Sequence, residues 1–327
     1  IEKTAVSDPM QALQGKAAGV NIISNSGQPG SGYSIQIRGI QSISARINPT
    51  YVIDGVISDN MGNINTNDIE SISVLKDGAS SSIYGTRAAN GVVLITTKRG
   101  GKNEAPVITF NTYLGIQTTS NRKLTLLTSD QWIKLDNESY VNDGLTRPYT
   151  DADLEIYKDA NGNYRNTDWL DVIMKNGVTK YYDLSVKGGS EKSNYFTSVN
   201  YLDQKGRIIA QKANKLNFRF NSDHKINKFI EFGNTMNIYA TSNSGLPDFN
   251  GLNASYAPNP YLQAVRKIPL SKAWESDGSY GRVENQEIEY NWAPPQTLAQ
   301  LYRREAKSYG IIGNIYVKLN LARGLTF

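Results

Sequence analysis

Apolar and polar residues alternate along much of the chain after residue 104. A period of two places successive side chains on opposite faces of an extended strand. The clearest segment is 215–221, whose apolar face is Leu216, Phe218 and Phe220. Its polar face is formed by Lys215, Asn217, Arg219 and Asn221. The same alternation predicts strands over 108–117, 182–187, 230–239 and 311–320.

The lengths of the connections distinguish two folds that share this alternation. Taken alone, the pattern favours a soluble β-sandwich with one packed and one solvated face. However, the predicted links alternate between short ones, such as "GGSEKSN" and "DHKINK", and long ones at 118–178 and 242–306. Outer-membrane barrels have short turns at one end and long loops at the other. The pattern therefore favours transmembrane barrel strands over 104–327, and a soluble β-rich ligand-recognition module is the alternative.

Residues 1–103 predict a small mixed α/β unit. The segment "SDPMQALQGKAAG" has a helix start, with Ser7 or Asp8 as the cap and Pro9 in the first turn. Short strands are expected in "VNIIS", "YSIQIRGI", "TYVIDGV" and "SISVLKD", and a turn of helix in "ASSSIYG". The unit ends with the apolar run "GVVLITTKRGG".

Composition excludes several kinds of site. The chain has no cysteine and one histidine, His224, which excludes disulfide frameworks, thiolate sites and multi-histidine zinc sites. The net charge of +5 is spread along the chain without a basic block, so no nucleic-acid partner is predicted. No cofactor or metal is predicted either. The chain starts at Ile1 without a signal peptide, and we interpret it as a mature or trimmed segment.

Two short motifs resemble functional sites and are attributed to chance. Ser73 to Lys76 fits S-x-x-K and Ser58 to Asn60 fits S-D-N, but their order is reversed and no K-T-G follows. The hypothesis that the protein is a serine acyl-transfer enzyme rests on these matches alone. The spacing of Asp159, Asn161 and Asn163 resembles a calcium loop whose glycine is displaced and which lacks the closing glutamate. A polar surface loop is the preferred interpretation.

The long segment 242–306 is rich in aromatic residues among polar ones. Flat rings beside hydrogen-bonding groups suit a sugar ring or an extended peptide, and they equally suit packing of the loop on itself or on a partner protein. The candidate ligand-binding residues are Tyr256, Tyr261, Trp274, Tyr280, Tyr290 and Trp292.

A series of motifs in order carries a resemblance to a known family. "ALQGKAAGVNI", "YSIQIRGI", "PTYVIDGV" and "NDIESISVLKDGASSSIYGTRAANGVVLITTKRG" resemble the plug domain of TonB-dependent outer-membrane transporters, and more narrowly the SusC/RagA branch. "NTDWLD", "YDLSVKGGSEKSNYFTSVNYLDQKG" and "NKLNFRFNSDHKINKFIEFGNTM" resemble the first barrel strands of that branch. Apart from the variable loops, the resemblance covers nearly all of the chain.

The resemblance implies a fold, a location and a mechanism. A mixed α/β plug would fill an antiparallel transmembrane β-barrel in the bacterial outer membrane, with the plug facing the periplasm. A glycan or peptide nutrient would be captured under a SusD-like lipoprotein lid, and the transporter–lipoprotein pair could form a homodimer. TonB, energised by ExbB and ExbD, would pair with an N-terminal segment and displace the plug by pulling. No chemistry on the substrate is implied, so the protein would not be an enzyme.

The resemblance also implies roles for individual residues. Arg38, in "IQIRGI", matches an arginine that in related plugs forms ion pairs with the barrel wall. Weaker candidates for this contact are Arg87, Glu70, Lys76 and Asp77. The residues expected to face lipid are Leu216, Phe218, Phe220, Ile230 and Phe232. The polar face of segment 215–221, with Lys215, Asn217, Arg219 and Asn221, is expected to face inward, toward the plugged lumen.

Two departures from the family pattern concern the ends of the sequence. Nothing before Ile1 resembles a TonB box, and the chain stops at "GLTF", midway into an apparent strand. About seven strand candidates cannot close around a plug, and open sheet edges are not tolerated in lipid. We therefore expect the sequence to be the early part of a longer protein.

Overall fold

The computed structural model describes two units that follow each other along the chain. The described residues are 9–24, 26–37, 39, 48–58, 60–61, 63–77, 82–118, 124–245, 259–289, 294–301, 303–322 and 325–327. Within these residues, the N-terminal unit shows one α-helix, six strands and two 3₁₀ segments. They are α1 (Pro9–Leu13), β1 (Val20–Ser24), β2 (Tyr33–Ile37), β3 (Thr50–Ile53), β4 (Val56–Ser58), the 3₁₀ segment Thr66–Asp68, β5 (Ile69–Leu75), the 3₁₀ segment Ser82–Asn90 and β6 (Val92–Thr97).

Two small sheets enclose the core of the N-terminal unit. Strands β1 and β2 form an antiparallel pair, and the other four are ordered β4-β3-β6-β5. Apolar side chains from both sheets meet in one cluster, which includes Ile22, Ile35, Ile53, Ile69 and Ile95. β3 and β4 are joined by the two-residue turn Asp54–Gly55, with positive φ at both positions. Asp-Gly is a preferred sequence for such a hairpin turn. The turn fixes Asp54 at the rim of the unit.

The second unit is a seven-stranded antiparallel sheet in simple chain order, called the large sheet below. Its strands are β7 (Val107–Gln117), β8 (Gly177–Gly189), β9 (Ser193–Lys205), β10 (Lys212–Lys225), β11 (Ile230–Gly245), β12 (Arg304–Ala322) and β13 (Leu325–Thr326). Short connections at 190–192 and 226–229 lie at one end, called the turn end. The connections 118–176, 206–211 and 246–303 lie at the other end, called the loop end.

The strands that border the second long connection extend beyond their predicted limits. That connection was expected over 242–306, but β11 continues to Gly245 and β12 begins at Arg304. Ladder pairs such as Ser242–Lys307 and Ser244–Glu305 continue the sheet there. The side chains at this level are polar on both strands, so the alternation that predicted the strands is not visible. The first long connection ends at residue 176, close to the predicted 178.

The long connections fold into helices with cores of their own. The helices are α2 (Ser129–Asn142), α3 (Trp169–Ile173), α4 (Pro260–Arg266), α5 (Gln286–Glu289) and α6 (Pro295–Leu301). Thr128 and Gln131 form a capping box at the start of α2. One core joins the two connections through Tyr157, Leu270 and Ile288, all buried. Among the described residues, no helix is both long enough and apolar enough to cross a membrane.

The large sheet has two different faces. Inward side chains, such as Asn217 and Asn221 on β10, are fully buried against the N-terminal unit. Outward side chains are apolar and open: Leu216 is 47% exposed, Leu114 66% and Ile315 75%. The prediction that the apolar and polar residues of segment 215–221 lie on opposite faces of the strand is confirmed.

Candidate functional site

A buried layer of polar side chains joins the N-terminal unit to the large sheet. We call it the polar layer and define it by side chains contributed from both units. They are Asp54, Asn65, Asp68 and Thr97 from the N-terminal unit, and Tyr181, Asp183, Ser198, Arg219 and Asn221 from the large sheet.

Arg219 lies at the centre of the polar layer. Its guanidinium is 3.4 Å from the carboxylate of Asp54 and 3.5 Å from that of Asp68, and all three side chains are at most 3% exposed. The guanidinium also donates to the Thr97 hydroxyl at 3.2 Å. A buried cation facing two buried carboxylates needs all partners in place, because a buried charge without a counter-charge is costly.

Asp54 is held ready for this contact by β6. The Thr97 backbone N–H donates to one Asp54 oxygen at 2.9 Å, and the Thr97 hydroxyl donates to the other at 2.7 Å. The Asn314 amide of β12 donates to the Asp54 backbone carbonyl at 2.9 Å. The hairpin turn is therefore tied both to its own unit and to the large sheet.

A second group of contacts surrounds Asp183 on β8. The Asn65 amide donates to Asp183 at 2.8 Å, and the Tyr181 hydroxyl donates to the Asn65 side-chain oxygen at 2.7 Å. Asn111 of β7 donates to the other Asp183 oxygen at 3.2 Å. These contacts connect the 3₁₀ segment Thr66–Asp68 and its cap to two strands of the large sheet.

Burial raises the pKa of Asp68 to about 6, against the opposing effects of the Arg219 charge and of a hydrogen bond from Ser198. The Ser198 hydroxyl donates to the Asp68 carboxylate at 2.7 Å. Desolvation disfavours the charged form of a carboxyl group, which accounts for the direction. Asp68 is thus a member of the polar layer whose protonation changes close to neutral pH.

Further contacts hold the two units together near the turn end. Asn221 donates to the Thr97 hydroxyl and to the Lys98 carbonyl, both at 2.8 Å. Arg99 forms an ion pair with Asp223, which also accepts from the Tyr316 hydroxyl. The contacts between the units are therefore hydrogen bonds and ion pairs to a large extent.

A cavity of about 720 Å³ opens between the two units toward the loop end. Amide and hydroxyl side chains dominate its lining, together with the rings of Tyr33 and Tyr113. The amides are Gln11, Gln28, Asn60, Asn63, Gln117, Gln204, Asn214 and Asn243. The one charged side chain among the described lining residues is that of Lys215, whose ammonium donates to the Ile64 carbonyl at 3.3 Å. The lining is thus polar and nearly free of charge among the described residues.

The predicted plug–barrel residues lie away from the polar layer where the structure describes them. Arg38 is outside the described residues. Glu70, Asp77 and Arg87 are exposed, and Lys76 donates to the Ala18 carbonyl within the N-terminal unit. Their role at a barrel wall stays a prediction.

The sequence did not identify the residues of the polar layer as a group. The alternation along segment 215–221 did assign Arg219 to the inward face. A signal for Asp54 exists in "VIDGV", since a two-residue Asp-Gly turn projects the acid from a hairpin tip. Asp68 and Thr97 carry no comparable signal.

The predicted aromatic ligand residues are only partly described. Tyr256, Tyr290 and Trp292 are outside the described residues. Trp274 and Tyr280 pack on each other with ring centroids 5.4 Å apart, and Tyr261 is the second residue of α4. None of these three lines the cavity. Their part in ligand binding stays a prediction.

The structure also shows where the S-x-x-K serine and the calcium-like loop lie. Ser73 is an exposed residue within β5. The Asp159 carboxylate accepts the backbone N–H groups of Asn161 and Asn163, at 2.8 and 3.0 Å, so this loop closes on itself. Among the described residues, no group of three acidic or histidine side chains is placed to hold a metal ion.

The predicted lipid-facing side chains lie on the outward face of the large sheet. Leu216 and Phe218 are exposed, and Phe220, Ile230 and Phe232 are half-buried. Register places them together, since Phe220 is opposite Met236 and His224 is opposite Phe232.

Comparison with known proteins identifies relatives. The TonB-dependent receptor plug domain family matches residues 1–92. The chain is 33% identical to TonB-dependent receptor P26 of Formosa agariphila over 95% of this chain and 30% of that protein. It is 30% identical to TonB-dependent receptor SusC of Bacteroides thetaiotaomicron over 97% of this chain and 32% of that protein. The RagAB peptide importer in its closed-closed state superposes with a TM-score of 0.80 at 27% identity, over 99% of this chain and 38% of that one.

The chain thus spans about a third of the length of the relatives that it matches. These relatives are receptors and an importer, and none is an enzyme by description. The plug match covers the N-terminal unit up to the first residue of β6, and the superposition extends the likeness through the antiparallel strands of the large sheet. The chain belongs to the SusC/RagA-type TonB-dependent transporters.

Proposed function

We propose that this chain supplies the plug and the first barrel strands of a transporter that imports a nutrient across the bacterial outer membrane. The plug would be residues 1–103 and the wall residues 104–327. The outward face of the large sheet supports this, because contiguous apolar side chains of this extent are unusual on a surface facing water. The short turns would lie on the periplasmic side and the long loops outside.

The polar layer is the observation that carries the proposal. A plug that has to leave its wall during transport needs contacts that hold it at rest and can be exchanged for water. Hydrogen bonds and ion pairs meet this need, since water can replace each partner, whereas exposing an apolar interface would cost free energy in proportion to its area. TonB, driven by ExbB and ExbD, would supply the pull. A SusD-like lipoprotein would cover the loop end, as a single pair or as a dimer of pairs.

The lining of the cavity favours an uncharged ligand. Carboxamides and hydroxyls offer paired donors and acceptors to vicinal hydroxyl groups, and Tyr33 and Tyr113 offer flat faces to a sugar ring. An oligosaccharide therefore fits the cavity well. An oligopeptide is the second candidate, because the RagAB neighbour is a peptide importer.

The test is capture of ligands from mixtures by the full-length transporter with its lipoprotein partner. The purified complex is incubated with neutral oligosaccharides from partial polysaccharide hydrolysis, and separately with a tryptic peptide mixture. Native mass spectrometry then identifies the molecules retained. Retention of neutral saccharides supports the proposal, retention of peptides alone supports the second candidate, and retention of neither contradicts both.

The rival function, a soluble β-rich recognition module, makes a different prediction. Such a protein would stay monodisperse in buffer without detergent. The importer proposal expects the full-length protein to aggregate when detergent is withdrawn, because its outward apolar face would lose its cover. Light scattering on detergent removal separates the two.

A further inference from the structure

The register of the large sheet arranges the outward side chains in rows across the strands. Tyr182 on β8 is opposite Tyr201 on β9, which is opposite Leu216 on β10. Leu216 is in turn opposite Ala240, and Ala240 is opposite Tyr309 on β12. We call this level the tyrosine row. Its three tyrosines are 39% to 72% exposed, and the next row toward the turn end is wholly apolar.

Aromatic girdles mark the borders of the apolar band in outer-membrane barrels. The row below the tyrosines consists of Phe110, Leu184, Val199, Phe218, Ile238 and Ile311. The next row toward the loop end is polar from β8 to β12, where it consists of Lys180, Asp203, Asn214, Ser242 and Lys307. On β7 the exposed apolar side chains Leu114 and Ile116 continue beyond the tyrosines. The tyrosine row therefore marks the border of the apolar band on the loop-end side from β8 to β12.

Basic residues occupy the two rows directly beyond this border. We call Lys180, Lys205, Lys212 and Lys307 the lysine row. Lys180 and Lys307 lie two residues from the tyrosines along their strands, a distance of about 7 Å. All four lie on the outward face, and the side chains of Lys212 and Lys307 are 44% and 56% exposed.

The arrangement places like charges against each other. Lys205 is directly opposite Lys212 across the β9–β10 pair, which is destabilising unless a counter-charge is present. Asp203 supplies one carboxylate, 3.5 Å from Lys212, and it is also the ladder partner of Lys180. Glu305 supplies a second carboxylate, 3.4 Å from Lys307. Two acidic side chains thus face four lysines at the edge of the apolar band.

We propose that the lysine row binds the phosphate group of a phosphorylated lipid headgroup in the membrane leaflet at the loop end. The charge is complementary, and the row lies where headgroups meet the aromatic border. A lipid anchored by its acyl chains on Phe218 and its neighbours would present its phosphate to Lys205 and Lys212. The inference rests on the membrane placement in the proposed function.

The test uses full-length transporter freed of lipid in detergent. Native mass spectrometry follows a titration with monophosphoryl lipid A, and with the same lipid after removal of its phosphate. The wild type should bind the phosphorylated lipid more tightly. Each basic residue near an anionic surface contributes about fivefold in affinity, so the double variant Lys205→Gln/Lys212→Gln should lose roughly 25-fold. Lys205→Arg/Lys212→Arg should retain binding.

A matched control keeps the same change in net charge. Lys134 on α2 and Lys228 in a turn-end connection are both exposed, and Lys134→Gln/Lys228→Gln should leave lipid affinity unchanged. Equal losses in both double variants would overturn the proposal, and so would equal affinity for the dephosphorylated lipid. Full competition by millimolar inorganic phosphate would assign the row to a free anion instead.

Lipid binding and ligand capture are measured separately, so their failures are distinguishable. Loss of phosphate preference with normal saccharide capture would refute this inference alone. Failure of saccharide capture with normal phosphate preference would refute the ligand class alone.

Discussion

At the scale of residues, the contact between the two units depends on a few buried charges that lie far apart in the sequence. Arg219 belongs to a strand whose alternation assigned it to the inward face, and that assignment was correct. Its partners Asp54 and Asp68 lie in a hairpin turn and at the end of a 3₁₀ segment. Sequence alone could not pair them, because no local pattern records which loop of one unit reaches which strand of another.

Removing the Arg219 charge should loosen the plug. Arg219→Met leaves two carboxylates buried without their cation, which costs about 3–5 kcal/mol. Hydrogen exchange of the β6 amides in the full-length protein should accelerate by roughly a hundredfold or more. Arg304→Met, at an exposed position of β12, serves as control. Equal exchange in both variants would contradict the role of Arg219.

Asp68 should make the stability of the plug depend on pH. Its pKa of about 6 lies above the ordinary value of 3.8, so the protonated form is favoured in the folded state. The resulting stabilisation is complete below about pH 4 and is lost as pH rises through about 6. It amounts to about 3 kcal/mol.

Asp68→Asn should remove this component. The difference in melting temperature between wild type and variant, measured from pH 4 to 8 in detergent, should change sharply between pH 4 and 6 and level off above. Parallel profiles for the two proteins would show that Asp68 does not titrate in this range.

At the scale of elements, alternation predicted the strands well and their ends poorly. Apolar side chains such as Ile108, Phe110 and Ile311 mark the strands wherever the outward face is apolar. On β11 the outward residues beyond the tyrosine row are polar, as at Ser242 and Ser244, and the alternation disappears although the ladder continues. The cores formed by the long connections were not predicted, because residues such as Tyr157 and Leu270 lie in different connections.

A charge on the outward face should be costly only within the apolar band. Phe218→Arg should destabilise the protein inserted in lipid vesicles by about 2–4 kcal/mol. Ser242→Arg, on the outward face of β11 but beyond the tyrosine row, should cost about 0–1 kcal/mol. Urea titration with the gel mobility of the folded barrel measures both. Equal costs would contradict the lipid-facing assignment.

At the scale of the whole molecule, the order of the motifs carried more information than any one of them. The plug-like segments, the strands and the parity of the connections together indicated the family, and the relatives confirmed it. The cavity was beyond sequence reasoning, since its lining combines Gln28 and Asn60 of one unit with Gln117 and Asn243 of the other. The sequence pattern therefore pointed to the aromatic connection 242–306 as the ligand-binding segment.

In the proposed function, the plug must move against this wall for import. Gly30 and Ala213 face each other across the two units: a Cβ placed on Gly30 would lie 3.1 Å from that of Ala213. A disulfide places its two Cβ atoms about 3.5–4.5 Å apart, so the two segments would have to separate by a few tenths of an ångström. The Asn243 side chain, 2.6 Å from the same Cβ, would have to rotate away. The chain contains no cysteine of its own. Gly30→Cys/Ala213→Cys would thus tie the plug to β10.

The deciding measurement is uptake of a tritium-reduced neutral oligosaccharide mixture by cells that make the full-length double variant. Each single cysteine variant serves as control for the strain of a side chain at Gly30, whose φ is 74°. The account predicts that uptake stops under oxidising conditions and returns when the disulfide is reduced. Uptake at the wild-type rate with the disulfide intact would contradict it.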